Sequence, residues 1–98
     1  MPTATAKING QVIASTSTYE TVEGNVYFPP DSVKKDDFSD SKTHTHCPWK
    51  GDASYYNITV GGNEVKDVAW YYPKPFEKAS HIKDYVAFYK TKVDVSVA

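Results

Sequence analysis

The chain has 98 residues, with 11 basic and 12 acidic side chains and a formal net charge of -1. This length suits one compact domain, so residues 1–98 are treated as a single domain. The balanced charge offers no basic surface, and there is neither an apolar run of about 18 residues nor a signal peptide, so no nucleic acid or membrane partner is expected. Cys47, the single cysteine, cannot close a disulfide within the chain, which favours the cytoplasm.

The first third of the chain predicts short strands joined by tight turns. Asn9-Gly10, between two β-prone runs, is a strong hairpin signal because both residues tolerate positive φ. Residues 16–22 continue the β character, a second turn falls at residues 23–25, and residues 26–28 form another short strand. We therefore expect a hairpin followed by further short strands.

Prolines and charged residues interrupt the β pattern after residue 28. Pro29-Pro30 ends the strand because proline has no N–H to donate, and residues 31–34 predict a single helical turn behind a capping aspartate. Residues 35–42 are polar and contain three aspartates. We expect a surface loop there.

The second half of the chain predicts longer strands and one helical segment. Residues 53–60 are β-branched and aromatic, Gly61-Gly62 can turn, and residues 65–72 form the partner strand. Apolar side chains recur at spacing three within residues 76–83, which predicts one or two helical turns. Two final strands are expected within residues 85–97.

Together these segments give seven or eight short strands with one or two short helical turns. Such an inventory indicates a mainly β fold of antiparallel sheets, arranged as a sandwich, a barrel or a bent pair of sheets. The eight tyrosines, four phenylalanines and two tryptophans suit β-sheet faces and the walls of a polar ligand site equally.

The stretch of residues 46–51 is the densest in side chains able to do chemistry. His44, His46 and Cys47 could each bind a metal, but on a strand Cys47 points to the opposite face from the two histidines. We therefore expect no bound metal and no other cofactor. Two interpretations of Cys47 remain, a nucleophile with a neighbouring histidine as base or a small buried apolar residue.

Three ordered sequence blocks resemble a known family. They are residues 22–30 (VEGNVYFPP), residues 45–56 (THCPWKGDASYY), and residues 69–75 (AWYYPKP) with 86–88 (VAF). On these blocks nearly the whole chain resembles the domain of unknown function 427 family, and the resemblance implies a β-tent-like fold of two antiparallel sheets meeting at a steep angle. The family sometimes carries a nucleotidyltransferase-like label. This sequence shows no glycine-rich phosphate loop and no paired aspartates spaced to hold magnesium, which phosphoryl transfer would normally require.

Glu23 and Lys50 are the ionisable residues embedded among aromatic residues in these blocks. A charge among aromatic side chains is costly unless it is paired, so we expect the two to lie close to each other or to a shared ligand. The expected ligand-binding residues are Glu23, Tyr27, Trp49, Lys50, Tyr55, Trp70 and Tyr71.

Two functions fit this set of residues. The first is binding of a small polar molecule in an aromatic pocket, with Glu23, Lys50 and Cys47 as candidates for any catalysis. The alternative is a non-catalytic interaction or structural module, such as a homodimer whose aromatic residues form the interface. The sequence does not name the ligand and leaves open whether the protein is an enzyme.

Overall fold

The fold is known from a computed structural model, which describes residues 2–98. Nine strands lie within these residues, together with three short 3₁₀ segments, Pro30–Ser32, Lys35–Asp37 and Glu77–Ile82. In chain order the strands are β1 (Ala4–Ile8), β2 (Gln11–Thr16), β3 (Glu20–Val22), β4 (Asn25–Tyr27), β5 (Phe38–Cys47), β6 (Gly51–Val60), β7 (Asn63–Tyr71), β8 (Val86–Phe88) and β9 (Asp94–Val97).

The strands form three antiparallel sheets in the described part of the chain. One has the order β2-β1-β9, another has the order β5-β6-β7-β8, and β3 and β4 form a two-stranded hairpin. The mainly β, antiparallel class predicted from the sequence is confirmed. The structure adds one strand, β5, to the prediction, and it adds one sheet because the hairpin β3–β4 pairs separately from the two larger sheets.

Two-residue turns set the register of the hairpins. Asn9 and Gly10 have φ of 50° and 80°, the left-handed conformation that a tight hairpin turn requires, and they join β1 to β2. Gly61 and Gly62 join β6 to β7 in the same way, with φ of 58° and 82°. Both hairpins predicted from the sequence are therefore confirmed.

The predicted surface loop over residues 35–42 is wrong. A 3₁₀ turn occupies Lys35–Asp37, and the ten-residue strand β5 begins at Phe38. β5 is an edge strand of the four-stranded sheet, where polar and charged side chains are tolerated because one side of the backbone faces water. Its first residue is anchored by packing, since the Phe38 ring meets the Tyr56 ring edge-on at 5.4 Å.

The four-stranded sheet carries apolar side chains on both faces. One face packs against the β2-β1-β9 sheet. The buried residues on that side are Ala4, Ala6, Ile8, Ile13, Ala14, Phe28, Ile58, Val60, Val68, Ala69, Val86, Phe88 and Val93. The other face is covered by the β3–β4 hairpin and the last 3₁₀ segment, and its buried residues are Tyr27, Ala53, Tyr55, Tyr72, Ala79, Ile82 and Ala87. We call this second side the aromatic face.

The helical segment predicted over residues 76–83 forms as a 3₁₀ helix at Glu77–Ile82. Two members of its apolar stripe, Ala79 and Ile82, are buried against the aromatic face, whereas Phe76 precedes the helix and is exposed. None of the helical segments in residues 2–98 has the length and apolar character needed to span a bilayer.

Candidate functional site

Lys50 is the one buried charged residue among residues 2–98, with 7% of its surface exposed. It lies in the turn between β5 and β6, and its ammonium group pairs with the carboxylate of Glu23. The Lys50 Nζ atom is also 5.1 Å from the centroid of the Trp49 ring and 5.8 Å from that of Tyr72. Two aromatic faces and one carboxylate therefore replace most of the water around this cation.

Glu23 occupies the turn of the hairpin β3–β4. Its φ of 54° and the φ of 79° at Gly24 give the two-residue turn that joins Val22 to Asn25. A left-handed conformation is uncommon for glutamate, so the surrounding structure must hold it. Lys50 holds the turn through the Glu23 side chain, and the Lys90 ammonium donates to the Gly24 carbonyl oxygen at 2.7 Å.

The two ends of the ion pair lie in different surroundings. The Lys50 side chain is 9% exposed, whereas the Glu23 side chain is 54% exposed. Burial favours a lower pKa for Lys50, but the hydrogen bond to Glu23 and nearby charges reverse this, so the pKa of the Lys50 ammonium is raised. The pKa of Glu23 is lowered, chiefly by its hydrogen bond from Lys50. Both groups therefore stay charged at neutral pH.

Gly51 allows the chain to pass close to the segment that follows β7. Its φ is 116°, and a Cβ atom at this position would lie 3.2 Å from the carbonyl oxygen of Lys74. The same approach lets the Phe76 N–H donate to the Lys50 carbonyl oxygen at 2.9 Å. Gly51 thus fixes the backbone that carries Lys50.

A row of aromatic rings extends from the ion pair along the aromatic face. The Trp70 indole N–H donates to the Tyr27 hydroxyl at 3.2 Å, and the two rings meet edge-on at 6.4 Å. Trp70 also contacts Tyr89, with ring centroids 4.7 Å apart, and Tyr89 stacks on Tyr55 at 6.4 Å. Burial raises the pKa of Tyr27, so this phenol is neutral.

Tyr71, expected in the pocket, lies on the opposite side of the four-stranded sheet. It stacks on Tyr56 with ring centroids 4.4 Å apart, within the apolar cluster that faces β1 and β2. Side chains alternate along a strand, so Trp70 and Tyr72 share the aromatic face and Tyr71 cannot join them. Tyr72, which covers Lys50, is the residue that the sequence analysis missed, and the alternation beginning at Trp70 could have identified it.

The structure separates Cys47 from the neighbouring histidines. Cys47 is partly buried against the aromatic-face cluster, whereas the exposed His46 ring pairs through Nδ1 with the Asp52 carboxylate at 2.7 Å. His44 makes only a 3.4 Å contact with the Ser54 hydroxyl. Within residues 2–98, no three histidine, cysteine or acidic side chains converge as metal ligands would.

A depression of about 360 Å³ adjoins the ion pair through Trp49. It is lined by Pro48, Trp49, Phe76, Glu77 and Lys78, and we call it the Trp49 depression. Trp49 and Phe76 are 37% and 48% exposed, which is high for large apolar side chains. The indole that covers Lys50 therefore also forms a wall open to solvent.

Fold and site together define a small antiparallel β protein with a lysine–glutamate pair set among aromatic side chains. Residues 3–98 match the model of the family described as domain of unknown function (DUF427), and the chain belongs to that family. The resemblance noted in the sequence is thereby confirmed over essentially the whole chain. No curated protein matches the chain significantly.

Proposed function

We propose that the protein binds a small polar molecule beside the Glu23–Lys50 pair, against the exposed face of Trp49. The observation that supports this proposal is the unequal burial of the pair, because the cation is enclosed while its carboxylate partner remains half exposed. A buried ammonium whose single counter-charge is a solvent-facing carboxylate is a costly arrangement for a purely structural role, even with the Trp49 and Tyr72 rings beside it. The pairing fixes the negatively charged Glu23 carboxylate at the edge of the aromatic surface formed by Trp49.

The exposed group determines the chemistry of the ligand. A carboxylate has about four lone-pair sites, and the bond from Lys50 uses one of them, so Glu23 can accept further hydrogen bonds. Lys50 is covered by Trp49 and Tyr72 and offers little surface to a ligand. The ligand therefore carries an amine, an amide N–H or a hydroxyl, with an apolar or planar part that packs on Trp49.

The proposal is limited to binding. Glu23, with its lowered pKa, is a weak general base at neutral pH, and Lys50 is held in its charged form and is not a nucleophile. His46, bonded to Asp52 on the other side of the strand, is not placed to deprotonate Cys47. Catalytic roles for Glu23, Lys50 and Cys47 therefore have no support in the geometry.

The test uses four probes with one ring and different polar groups: phenethylamine, benzamide, benzyl alcohol and phenylacetate. Titrations would follow the indole N–H signals of Trp49 and Trp70 in ¹H–¹⁵N correlation spectra. We expect the donor-bearing probes to shift the Trp49 signal saturably, and phenylacetate to have little effect because the Glu23 carboxylate repels it.

Glu23→Gln and Glu20→Gln provide matched variants, because both glutamates lie in the β3–β4 hairpin and only Glu23 pairs with Lys50. The amine should bind at least tenfold more weakly to Glu23→Gln and unchanged to Glu20→Gln. Equal binding of phenethylamine by both variants, or no saturable shift with any donor-bearing probe, would show the proposal to be wrong.

A second candidate function is an interaction module, and the exposure of Trp49 and Phe76 around one depression favours it. Under this alternative a second copy of the chain covers the Trp49 depression. Light scattering during size-exclusion chromatography over a concentration series would then show dimers that Trp49→Ser and Phe76→Ser abolish. A monomer at all concentrations up to about 1 mM would eliminate the homodimer.

We also infer a cytoplasmic location without a nucleic-acid or membrane partner. The net charge of -1 and the single cysteine support this inference. Fractionation of cells that express the full-length protein with a C-terminal tag would test it, and recovery from the membrane pellet would contradict it.

A further inference from the structure

A second depression, of about 370 Å³, lies on the aromatic face away from the ion pair. It is lined by Thr43, Thr45, Tyr55, Asp67, Tyr89, Thr91 and Lys92, and we call it the Asp67 depression. Neither Glu23, Lys50 nor Trp49 lines it. The proposed function above therefore does not account for it.

Two irregularities in neighbouring strands build this depression. The pairing of β5 with β6 shifts between Asp40 and His44, and the pairing of β6 with β7 shifts between Tyr56 and Ile58. In the second irregularity Asp67 has a φ of 53°, which redirects its side chain from the regular alternation of the strand. Bulges that aim a side chain in this way are common beside functional sites.

Side-chain hydrogen bonds fix the Asp67 carboxylate in this conformation. The Asp67 N–H donates to the Asn57 side-chain oxygen at 2.9 Å, and the hydroxyls of Ser41 and Thr43 donate to the carboxylate, the latter at 2.8 Å. The bond from Ser41, followed by that from Thr43, lowers the pKa of Asp67. The carboxylate is therefore ionised and rigid, and it keeps unused lone pairs.

The remaining lining is rich in hydroxyl groups and nearly balanced in charge. The Thr45 hydroxyl lies 2.9 Å from the Tyr55 hydroxyl, which lies 3.4 Å from that of Tyr89. Lys92 supplies the one positive charge against the one negative charge of Asp67. Tyr89 is 39% exposed and presents a ring to solvent.

We propose that the Asp67 depression binds a neutral polyhydroxylated ring, the chemistry of a sugar or a cyclic polyol. Such a molecule has an apolar C–H face that packs on the exposed Tyr89 ring and hydroxyls that bond to Asp67, Lys92 and the threonines. The opposite charges of Asp67 and Lys92 offset each other, so the lining has no net attraction for an ion. The volume is within the range of small-molecule sites and suits one or two rings.

The test is a titration of the ¹⁵N-labelled full chain with glucose, galactose, cellobiose and myo-inositol, each up to about 50 mM, which covers the weak affinities expected of small ligands. We expect saturable shifts with at least one probe, confined to amides within residues 41–45, 66–68 and 89–92. No saturable shift with any probe, or shifts spread over the whole surface, would overturn the proposal.

Three substitutions decide whether the shifts report this site. Asp67→Asn and Tyr89→Ala should weaken binding at least tenfold, because each removes a main contact. Thr91→Val replaces an exposed lining residue and should leave the fold intact, so a threefold or larger loss there supports the site even if the other two variants unfold. The proposal would be overturned if Thr91→Val, and whichever of Asp67→Asn and Tyr89→Ala remains folded, bound the sugar with the affinity of the wild type.

Glu23→Gln separates this site from the one proposed above. Sugar binding should be unaffected by that substitution, because Glu23 does not line the Asp67 depression. Loss of sugar binding in Glu23→Gln would show that the sugar contacts the other site, and would overturn the assignment to the Asp67 depression.

Discussion

The two members of the Glu23–Lys50 pair should respond differently to substitution. Glu23→Ala leaves a buried ammonium without a counter-charge. Lys50→Met leaves a carboxylate that water can solvate, and the methionine side chain can occupy the space of the lysine side chain between Trp49 and Tyr72. We therefore expect Glu23→Ala to lower the melting temperature more than Lys50→Met does, measured by far-ultraviolet circular dichroism at pH 7. Equal losses, or a larger loss in Lys50→Met, would contradict the burial of Lys50.

The lowered pKa of Glu23 makes the stability from this pair depend on acid pH. A carboxylate whose folded-state pKa lies below its ordinary value of 4.5 stabilises the fold above that value, and the contribution is lost as pH falls through the folded-state pKa. The stability difference between the wild type and Glu23→Gln should therefore shrink as the pH is lowered below about 4.5. Urea unfolding at several pH values would measure it, and Glu20→Gln should show no such trend.

The residues of the site were predicted from the sequence only in part. The pairing of Glu23 with Lys50 could be predicted because a charge among aromatic side chains is costly unless it is paired. The structure brings the two together although they are 27 positions apart in the sequence. Tyr71 is adjacent to Trp70 in the motif but lies on the opposite side of the sheet, because side chains alternate along a strand. The position of Asp67 in its depression could not be predicted, because it depends on a bulge in β7 that no local composition signals.

At the scale of single elements, the turn into β6 depends on Gly51. Alanine at Gly51 would face both a φ of 116° and the Lys74 carbonyl oxygen at 3.2 Å, whereas alanine at Gly10 would face a φ of 80° with open space around it. We expect Gly10→Ala to cost about 1 kcal/mol and Gly51→Ala distinctly more. Midpoints of urea unfolding give the comparison, and identical midpoints would mean that the Lys74 segment moves aside freely.

The elements that could be predicted are the strands and turns whose own residue composition indicates their structure. β6 and β7 are rich in β-branched and aromatic residues, and their turn at Gly61-Gly62 is explicit in the sequence. β5 has the composition of a loop, with serine, aspartate and lysine at its start. It becomes a strand because β6 supplies the backbone partner, which is a property of the assembled sheet.

At the scale of the whole molecule, one sheet separates two apolar clusters that should unfold together. Ile58 is fully buried on the side of β1 and β2, and Ile82 is fully buried on the aromatic face. Ile58→Ala and Ile82→Ala should each lower the free energy of unfolding by about 2 to 5 kcal/mol. Because every strand of the central sheet contributes to both sides, each variant should still unfold in one transition.

Two optical probes would test this coupling. Trp70 packs against the aromatic-face cluster, and Trp49 covers Lys50 next to Tyr72 of the same cluster. Their fluorescence therefore reports that side, while far-ultraviolet circular dichroism reports all of the strands. The two urea unfolding curves of Ile82→Ala should coincide. An earlier transition in fluorescence would show that the aromatic face unfolds on its own.

The hairpin β3–β4 has a dynamic consequence. β3 pairs with β4 alone, and two residues of β3 are exposed, so brief local detachment of β3 from β4 requires far less energy than unfolding of the sheet. The lysine side chains that hold the turn, Lys50 and Lys90, then determine how often it opens.

Amide hydrogens within residues 20–23 should exchange with deuterium orders of magnitude faster than those of β6. Relative to the intrinsic rate, their exchange should be faster still in acid, because the Glu23 carboxylate then takes up a proton. This hairpin would be the part of the aromatic face that moves when a molecule enters or leaves.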